Sequence, residues 1–227
     1  MVTSYGQFCP VAKAAEVFAE RWTPLVLREL LSGCTRFSEI QRGVPLMSPS
    51  LLARRLRELE EAGIVERHRR GPRGYEYSLT GAGEELRPVV LALGDWGMRW
   101  TDSRLRLADF DPSILIWDMR RRIRHDELPE GRTVIHFTFP DAPRGKHEYW
   151  LLIERGDAEV CLTDPGFEVA VHAEGRVRAF ADAWLGRRGW TQLIAANEIQ
   201  LDGDRALVKR FQHWFELSVF AGRARSA

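Results

Sequence analysis

Arginine carries most of the chemistry available to this sequence. Between Arg36 and Arg73, nine arginines (Arg36, Arg42, Arg54, Arg55, Arg57, Arg67, Arg69, Arg70, Arg73) stand against five glutamates (Glu39, Glu58, Glu60, Glu61, Glu66), in a 227-residue chain of net charge +1. From Arg106 onward 18 basic residues meet 19 acidic ones, so the surplus is confined to the first half. A guanidinium fork can bond guanine O6 and N7 together, and its charge neutralises backbone phosphate, so a clustered surplus suits nucleic acid. Residues for catalysis are not grouped in this way. His125, His136, His147, His172 and His213 are scattered, without an HxxxH pair or other metal-ligand spacing. Asp164 and Glu168 are four apart, but Pro165-Gly166 denies them a shared helical face. No serine sits in a nucleophile elbow and no Gly-rich phosphate loop occurs. The expectation is a protein that is not an enzyme and uses no cofactor and no metal.

The arginines need elements to aim them, and the segment from Arg36 to Thr80 supplies these. Phe37, Ile40 and Val44 mark a short amphipathic helix, followed by the turn Val44-Pro45-Leu46-Met47. A second helix, over residues 48–62, opens on a Ser48 cap. Its Leu52, Leu56 and Leu59 repeat at i, i+4, i+7 and face a core, which turns Ser50, Arg54 and Arg57 outward with Arg55 on the flank. After Gly63 the chain alternates like a strand, turns at Gly71-Pro72-Arg73-Gly74 and returns from Tyr75 to Leu79. Helix, turn, helix and a basic-tipped hairpin over 64–79 is the layout of a winged helix on duplex DNA. Arg54 is the expected base reader. The helix start at Ser48-Pro49-Ser50 offers unpaired N–H groups to a phosphate or base edge, and Arg36 adds charge nearby. Arg67, Arg69, Arg70 and Arg73, with His68, are expected on phosphates or in the minor groove. The competing reading of the helix is a solvated face laced by Arg54–Glu58 and Arg57–Glu61 pairs; the arginines of the Gly/Pro hairpin tip have no comparable packing role.

Helical spacing also covers Val11 to Leu31, with Pro24 starting a second helix and Gly33 ending it. Another helix is expected from Glu84 to about Leu107, with Leu86, Val90, Leu93, Trp96 and Trp100 as an apolar stripe. Together with the Val11 helix it forms a candidate dimer surface. The pattern stops at Ala108-Asp109-Phe110-Asp111-Pro112, which divides residues 1–108 from residues 109–227. The second part reads as an α+β domain. Helices are expected at Ser113–Ile123 and Arg176–Leu185. Strands are expected at Thr133–Phe139, Trp150–Glu154, Ala158–Thr163 (across a Gly156-Asp157 turn) and Glu168–His172. A helix–turn–helix end would turn at Leu201-Asp202-Gly203-Asp204. The longest apolar runs are too short to span a bilayer, no secretory leader is apparent, and three unpaired-looking cysteines suit a reducing cytoplasm.

Several stretches resemble the HxlR family of bacterial winged-helix regulators: Cys9-Pro10, Arg21-Trp22-Thr23, Arg36 to Ile40, Leu56 to Val65, Tyr75 to Thr80 and Leu93-Gly94-Asp95-Trp96. The likeness runs from residue 5 to about 104. It implies a homodimer on a palindromic operator, with the helix at 48–62 in the major groove and the wing alongside. It also places Cys9 where some family members sense oxidants or electrophiles. Read from the residues, Cys9 is either a small buried apolar side chain or a thiol activated by Lys13 one turn away.

The second half resembles the sterol carrier protein fold in its order of elements, through Trp117-Asp118, Phe137-Thr138-Phe139, Cys161 to Gly166, Trp184-Leu185-Gly186 and Leu201 to Asp204. That resemblance implies a five-stranded sheet under helices around a hydrophobic tunnel. Trp117, Phe137, Phe139, Trp150, Trp184 and Trp214 are then either core or the walls of a pocket for an apolar small molecule. The overall expectation is an α+β protein with a winged helix-turn-helix domain followed by a sterol-carrier-like domain. It would be a cytoplasmic DNA-binding regulator whose second domain either takes an effector or serves as an interaction module.

Overall fold

The computed structural model describes residues 4–71 and 74–222. The chain divides into two compact units, Met1–Gly94 and Asp95–Ala227. The division falls inside a helix, whereas the sequence pattern places it at 108/109.

The first unit opens with α1 (Pro10–Phe18) and α2 (Thr23–Leu31), each begun by a proline in its first turn. They are separated at Trp22, whose φ of 76° breaks the helical run. Next come α3 (Phe37–Gly43) and α4 (Pro49–Glu61). Ser48 caps α4, its hydroxyl accepting from the Leu51 amide at 3.3 Å. At the far end Gly63 takes φ +71°, so that Ile64 N–H reaches the Leu59 carbonyl at 2.9 Å and Gly63 N–H that of Glu60 at 3.0 Å. This Schellman closure ends the helix sharply and sends the chain into the hairpin β1 (Val65–Arg70) and β2 (Gly74–Leu79). Val26, Leu27, Ile40, Leu52, Leu56, Leu59 and Val65 form the core beneath these elements.

A fully buried carboxylate locks α2 to the end of α3. Glu29 Oε1 accepts from Arg28 Nε at 2.9 Å and Nη2 at 2.6 Å, and the same Nη2 bonds the Gly43 carbonyl at 3.0 Å. A Cβ on Gly43 would lie 2.0 Å from the Glu29 carboxylate carbon, so the close approach requires glycine there.

The expected helix from Glu84 to about Leu107 is two: a single turn α5 (Gly81–Glu84) and α6 (Arg87–Trp100). Thr80 caps the first, accepting from Gly83 N–H at 3.1 Å. Pro88 then sits in the first turn of α6, where its missing N–H costs nothing.

In the second unit, α7 (Pro112–Arg120) precedes a sheet built from β3 (Thr133–Thr138), β4 (Glu148–Glu154), β5 (Asp157–Cys161), β6 (Val171–Gly175) and β7 (Ile199–Gly203). Between the last two strands lie α8 (Val177–Trp184) and α9 (Trp190–Ala195), and α10 (Arg205–Arg210) follows. The strand order is β5-β4-β3-β6-β7, with β3 parallel to β6 and the other pairs antiparallel. The β4–β5 hairpin turns on Arg155 (φ 55°) and Gly156 (φ 77°), the double positive-φ turn that suits sheet twist, one residue before the expected Gly156-Asp157. Two strand expectations are corrected. Leu201-Asp202-Gly203 is not a turn but the end of edge strand β7, paired to β6; only Asp204 leaves the strand, to cap α10. The strand expected at Glu168–His172 lies at Val171–Gly175.

One sheet face carries Ile135, Phe137, Leu151, Ile153, Val171, Ala173 and Ile199 into a single core with α7, α8 and α9. Phe137, Phe139, Trp184 and Trp214 belong to that core, and Phe137 and Trp214 are wholly buried. Their rings meet neighbouring rings at centroid distances such as 5.4 Å (Phe139–Phe180) and 5.8 Å (Phe211–Trp214). Trp117 instead lies under the Arg120 guanidinium at 4.1 Å, and Trp150 stacks on His136 at 4.5 Å. Of the two readings the sequence leaves open for these six aromatics, Phe137, Phe139, Trp184 and Trp214 pack as core, while Trp117 and Trp150 lie outside that cluster against Arg120 and His136.

Candidate nucleic-acid interface

Leucine burial decides which way α4 faces. Leu52, Leu56 and Leu59 are at most 1% exposed, and Ser48, Pro49, Ser50, Arg54 and Arg57 are exposed on the other side. Ser48 and Ser50 hydroxyls lie 3.2 Å apart at the helix start. The Arg54 side chain is 59% exposed and makes a loose i,i+4 pair with Glu58 at 3.5 Å, too weakly held to bar it from a ligand.

Arg55 is a correction. Its side chain is 6% exposed, and it donates to Glu58 at 2.6 Å and to Glu20 at 3.3 Å. It faces inward because position 55 lies next to the Leu52–Leu56–Leu59 stripe, and Glu20, in the link between α1 and α2, closes over it. It ties α4 to the link between α1 and α2 and is not presented on the outward face of α4.

The hairpin divides its charges between two faces. Arg67 and Arg69 register with Tyr77 and Tyr75 on one, His68 and Arg70 with Glu76 and Gly74 on the other. Arg67 is anchored over the Tyr75 ring at 4.6 Å and lies 3.6 Å from Glu60 at the end of α4. Arg70 is paired with Glu76, and His68 Nε2 lies 2.9 Å from the Ser78 hydroxyl. Arg69 is exposed. Arg73, at the tip, lies outside the described residues. Burial pushes the Tyr77 phenol up, with Arg67 opposing it. The hairpin is pinned to the rest of the unit by Tyr77 N–H, which donates to the Thr35 carbonyl at 2.7 Å, within an antiparallel backbone β-bridge between Arg36 and Glu76.

Among the described residues Arg36, Arg57 and Arg69 have no ion-pair partner. They are charges the fold leaves unneutralised, while Arg55 and Arg70 are held by carboxylates and Arg67, like Arg54, makes only a loose pair. The sequence did not indicate the groove of about 580 Å³ that Arg36 lines with Phe37, Ser38, Arg70, Tyr75 and Tyr77. Its only signal is the strand period, which places Tyr75 and Tyr77 on one face of the hairpin.

A family profile described as HxlR-like helix-turn-helix matches residues 17–105. The uncharacterized HTH-type transcriptional regulator YvaP of Bacillus subtilis (strain 168) is 38% identical over 100 residues, which cover 43% of this chain and 93% of YvaP. The chain belongs to the HxlR-like helix-turn-helix family. Another relative, the uncharacterized HTH-type transcriptional regulator sll1512 of Synechocystis sp., is 36% identical over 99 residues, covering 43% of this chain and 73% of that protein. Among solved structures, the reduced form of the transcriptional regulator YodB from B. subtilis is similar at 32% identity, over 43% of this chain and 98% of YodB, with a TM-score of 0.37. As a member of the HxlR-like family, the protein is a transcriptional regulator with a helix-turn-helix DNA-binding domain. None of its described helices is long and apolar enough to cross a membrane.

Cys9 is half-buried at the N-cap of α1, between the two readings that the sequence leaves open for it. The Ala12 and Val11 amides draw its thiol below the ordinary range, although no cap hydrogen bond of normal geometry forms. Lys13, the expected activating cation, is engaged by Glu16 at 3.0 Å and by Ser4 at 3.3 Å.

Proposed function

We propose that this regulator binds a palindromic operator as a homodimer, with α4 in the major groove, Arg54 reading a base edge, Arg57 and the Ser48-Pro49-Ser50 helix start on phosphate, and the β1–β2 wing alongside. The observation that carries this reading is the outward Ser50–Arg54–Arg57 face, opposite three sealed leucines and beside a hairpin with exposed arginine. Arg36 and Arg69 supply sequence-independent attraction. Arg67 and Arg70 act as braces that keep the wing straight, with charge left to share. The exposed Val89, Leu93 and Trp96 of α6, at 45%, 47% and 53%, support that helix as a self-association surface, and Phe8 and Val11 of the N-terminal segment are exposed as well. Residues 109–227 act as the regulatory or interaction module. Its five-stranded sheet with helices on one face supports the sterol-carrier resemblance, while its packed aromatic interior favours an interaction role over an apolar-ligand tunnel. The test is a gel-shift titration of Arg54→Ala on an operator fragment: a loss of about 1–3 kcal/mol concentrated at one base position is expected, and unchanged affinity would refute the assignment of α4.

A second reading takes Cys9 as the signal, favoured by its half-buried thiol at a helix start where backbone N–H groups lower its pKa. Cys9→Ser with an unaltered oxidant response in operator release would remove it.

A further inference from the structure

We propose that His136 and His172 form a two-imidazole chelate for a divalent transition-metal ion of the zinc, nickel or copper class, on the sheet face opposite the aromatic core. The two residues stand 36 apart in the chain, yet the parallel pairing of β3 and β6 puts them in register, with their Nδ1 atoms 3.1 Å apart. Two nitrogens bound at about 2.0–2.1 Å to one ion lie about 2.9 Å apart at a right angle and about 3.4 Å apart at the tetrahedral angle. The observed separation falls between these limits, so chelation requires no strand movement.

The surroundings fit the same role. His136 is held in place by Trp150, stacked on its face at 4.5 Å with 11° between planes. Its other nitrogen, Nε2, is buried and lies 3.3 Å from Glu148 Oε1, close to a hydrogen bond but not aligned for one. A carboxylate facing the far nitrogen of a histidine is the outer partner that orients metal-binding imidazoles. With the His136 proton on Nε2 toward Glu148, its Nδ1 lone pair points at His172, whose Nδ1–H donates to it in the metal-free protein. Metal binding moves that single His172 proton from Nδ1 to Nε2 of the exposed ring, so each imidazole stays neutral and no proton is lost. Among the described residues no third His, Cys, Asp or Glu completes a ligand set. Water therefore fills the remaining positions, and the ion stays open to exchange or to a further donor. Imidazole pairs favour zinc, nickel and copper over magnesium or calcium, which take oxygen.

The test is equilibrium dialysis of the tag-free protein against Ni²⁺ and, separately, Zn²⁺. About one equivalent per chain is expected for the wild type, with uptake at least about tenfold weaker in His172→Asn. His172 is exposed, so this variant should keep the wild-type circular dichroism and melting curve. Ni²⁺ should also quench part of the tryptophan emission, and Trp150→Phe should lose that quenching while still taking up the ion. No uptake by the wild type, equal uptake by His172→Asn, or quenching that survives Trp150→Phe would each overturn the proposal.

Discussion

Truncating Arg55 tests whether the fold, rather than the arginine pattern, decides which side chains meet DNA. Arg55→Ala removes a side chain that is 6% exposed and bridges Glu58 at 2.6 Å and Glu20 at 3.3 Å. Charge-assisted hydrogen bonds contribute about 1.5–3 kcal/mol each when well made, and breaking a wholly buried ion pair costs about 3–5 kcal/mol. Here the partners can be rehydrated, since the Glu58 and Glu20 side chains are 24% and 45% exposed. The cost therefore falls below the buried limit, at about 2 kcal/mol. For a domain of this size each kcal/mol lowers the melting midpoint by about 4–8 °C, so a drop on the order of 10 °C is expected. Arg55→Met, which keeps the stem and removes the charge, should recover part of that loss, because apolar replacements of buried ions are tolerated. The assay is thermal melting followed by circular dichroism, paired with a gel shift performed well below the midpoint. Operator affinity per folded molecule should match the wild type. An unchanged midpoint with weakened operator binding would show that Arg55 reaches DNA and that its inward placement is wrong.

Arg69→Ala should weaken binding to operator and non-operator DNA alike and reduce the slope of log K against log salt by about 1, as measured by fluorescence anisotropy across a salt series. Leu93→Glu on α6 should shift the protein toward monomer in sedimentation velocity while leaving its circular dichroism intact; an unaltered distribution would exclude α6 from self-association. Burial pushes the Tyr149 phenol up to about 12 from an ordinary value of 10, so the folded protein holds this proton more tightly than the unfolded chain. Stability is then fully present below pH 10 and falls as pH rises from 10 through 12, which denaturation midpoints across that window should show, with the phenolate absorbance of Tyr149 appearing only at its upper end.

The outward face of α4 was largely legible in the sequence because its information is local. The i, i+4, i+7 leucines, the Ser48 cap and the Gly63 exit are read within one helix, and the wing within a dozen residues of alternating chain and a Gly/Pro turn. Arg54 and Arg57 could be aimed outward from that spacing alone. Arg55 could not, since what buries it is Glu20, 35 residues earlier. Nor could the division of the wing arginines into paired and unpaired charges, which depends on the loose Glu60–Arg67 and close Glu76–Arg70 pairings set by hairpin register and by the end of α4.

In the second half the sequence by itself determined that strands and helices alternate and that aromatic volume must be buried. Whether those rings would enclose a space or fill it was decided by tertiary packing, as side chains from β3, α8 and the C-terminal turn converge. The same holds for Leu201-Asp202-Gly203, which carries turn-forming residues yet pairs as an edge strand because β6 offers it a free ladder. His136 and His172 look scattered along the chain; only a parallel pairing, which no local pattern announces, brings their nitrogens within a single ion's reach.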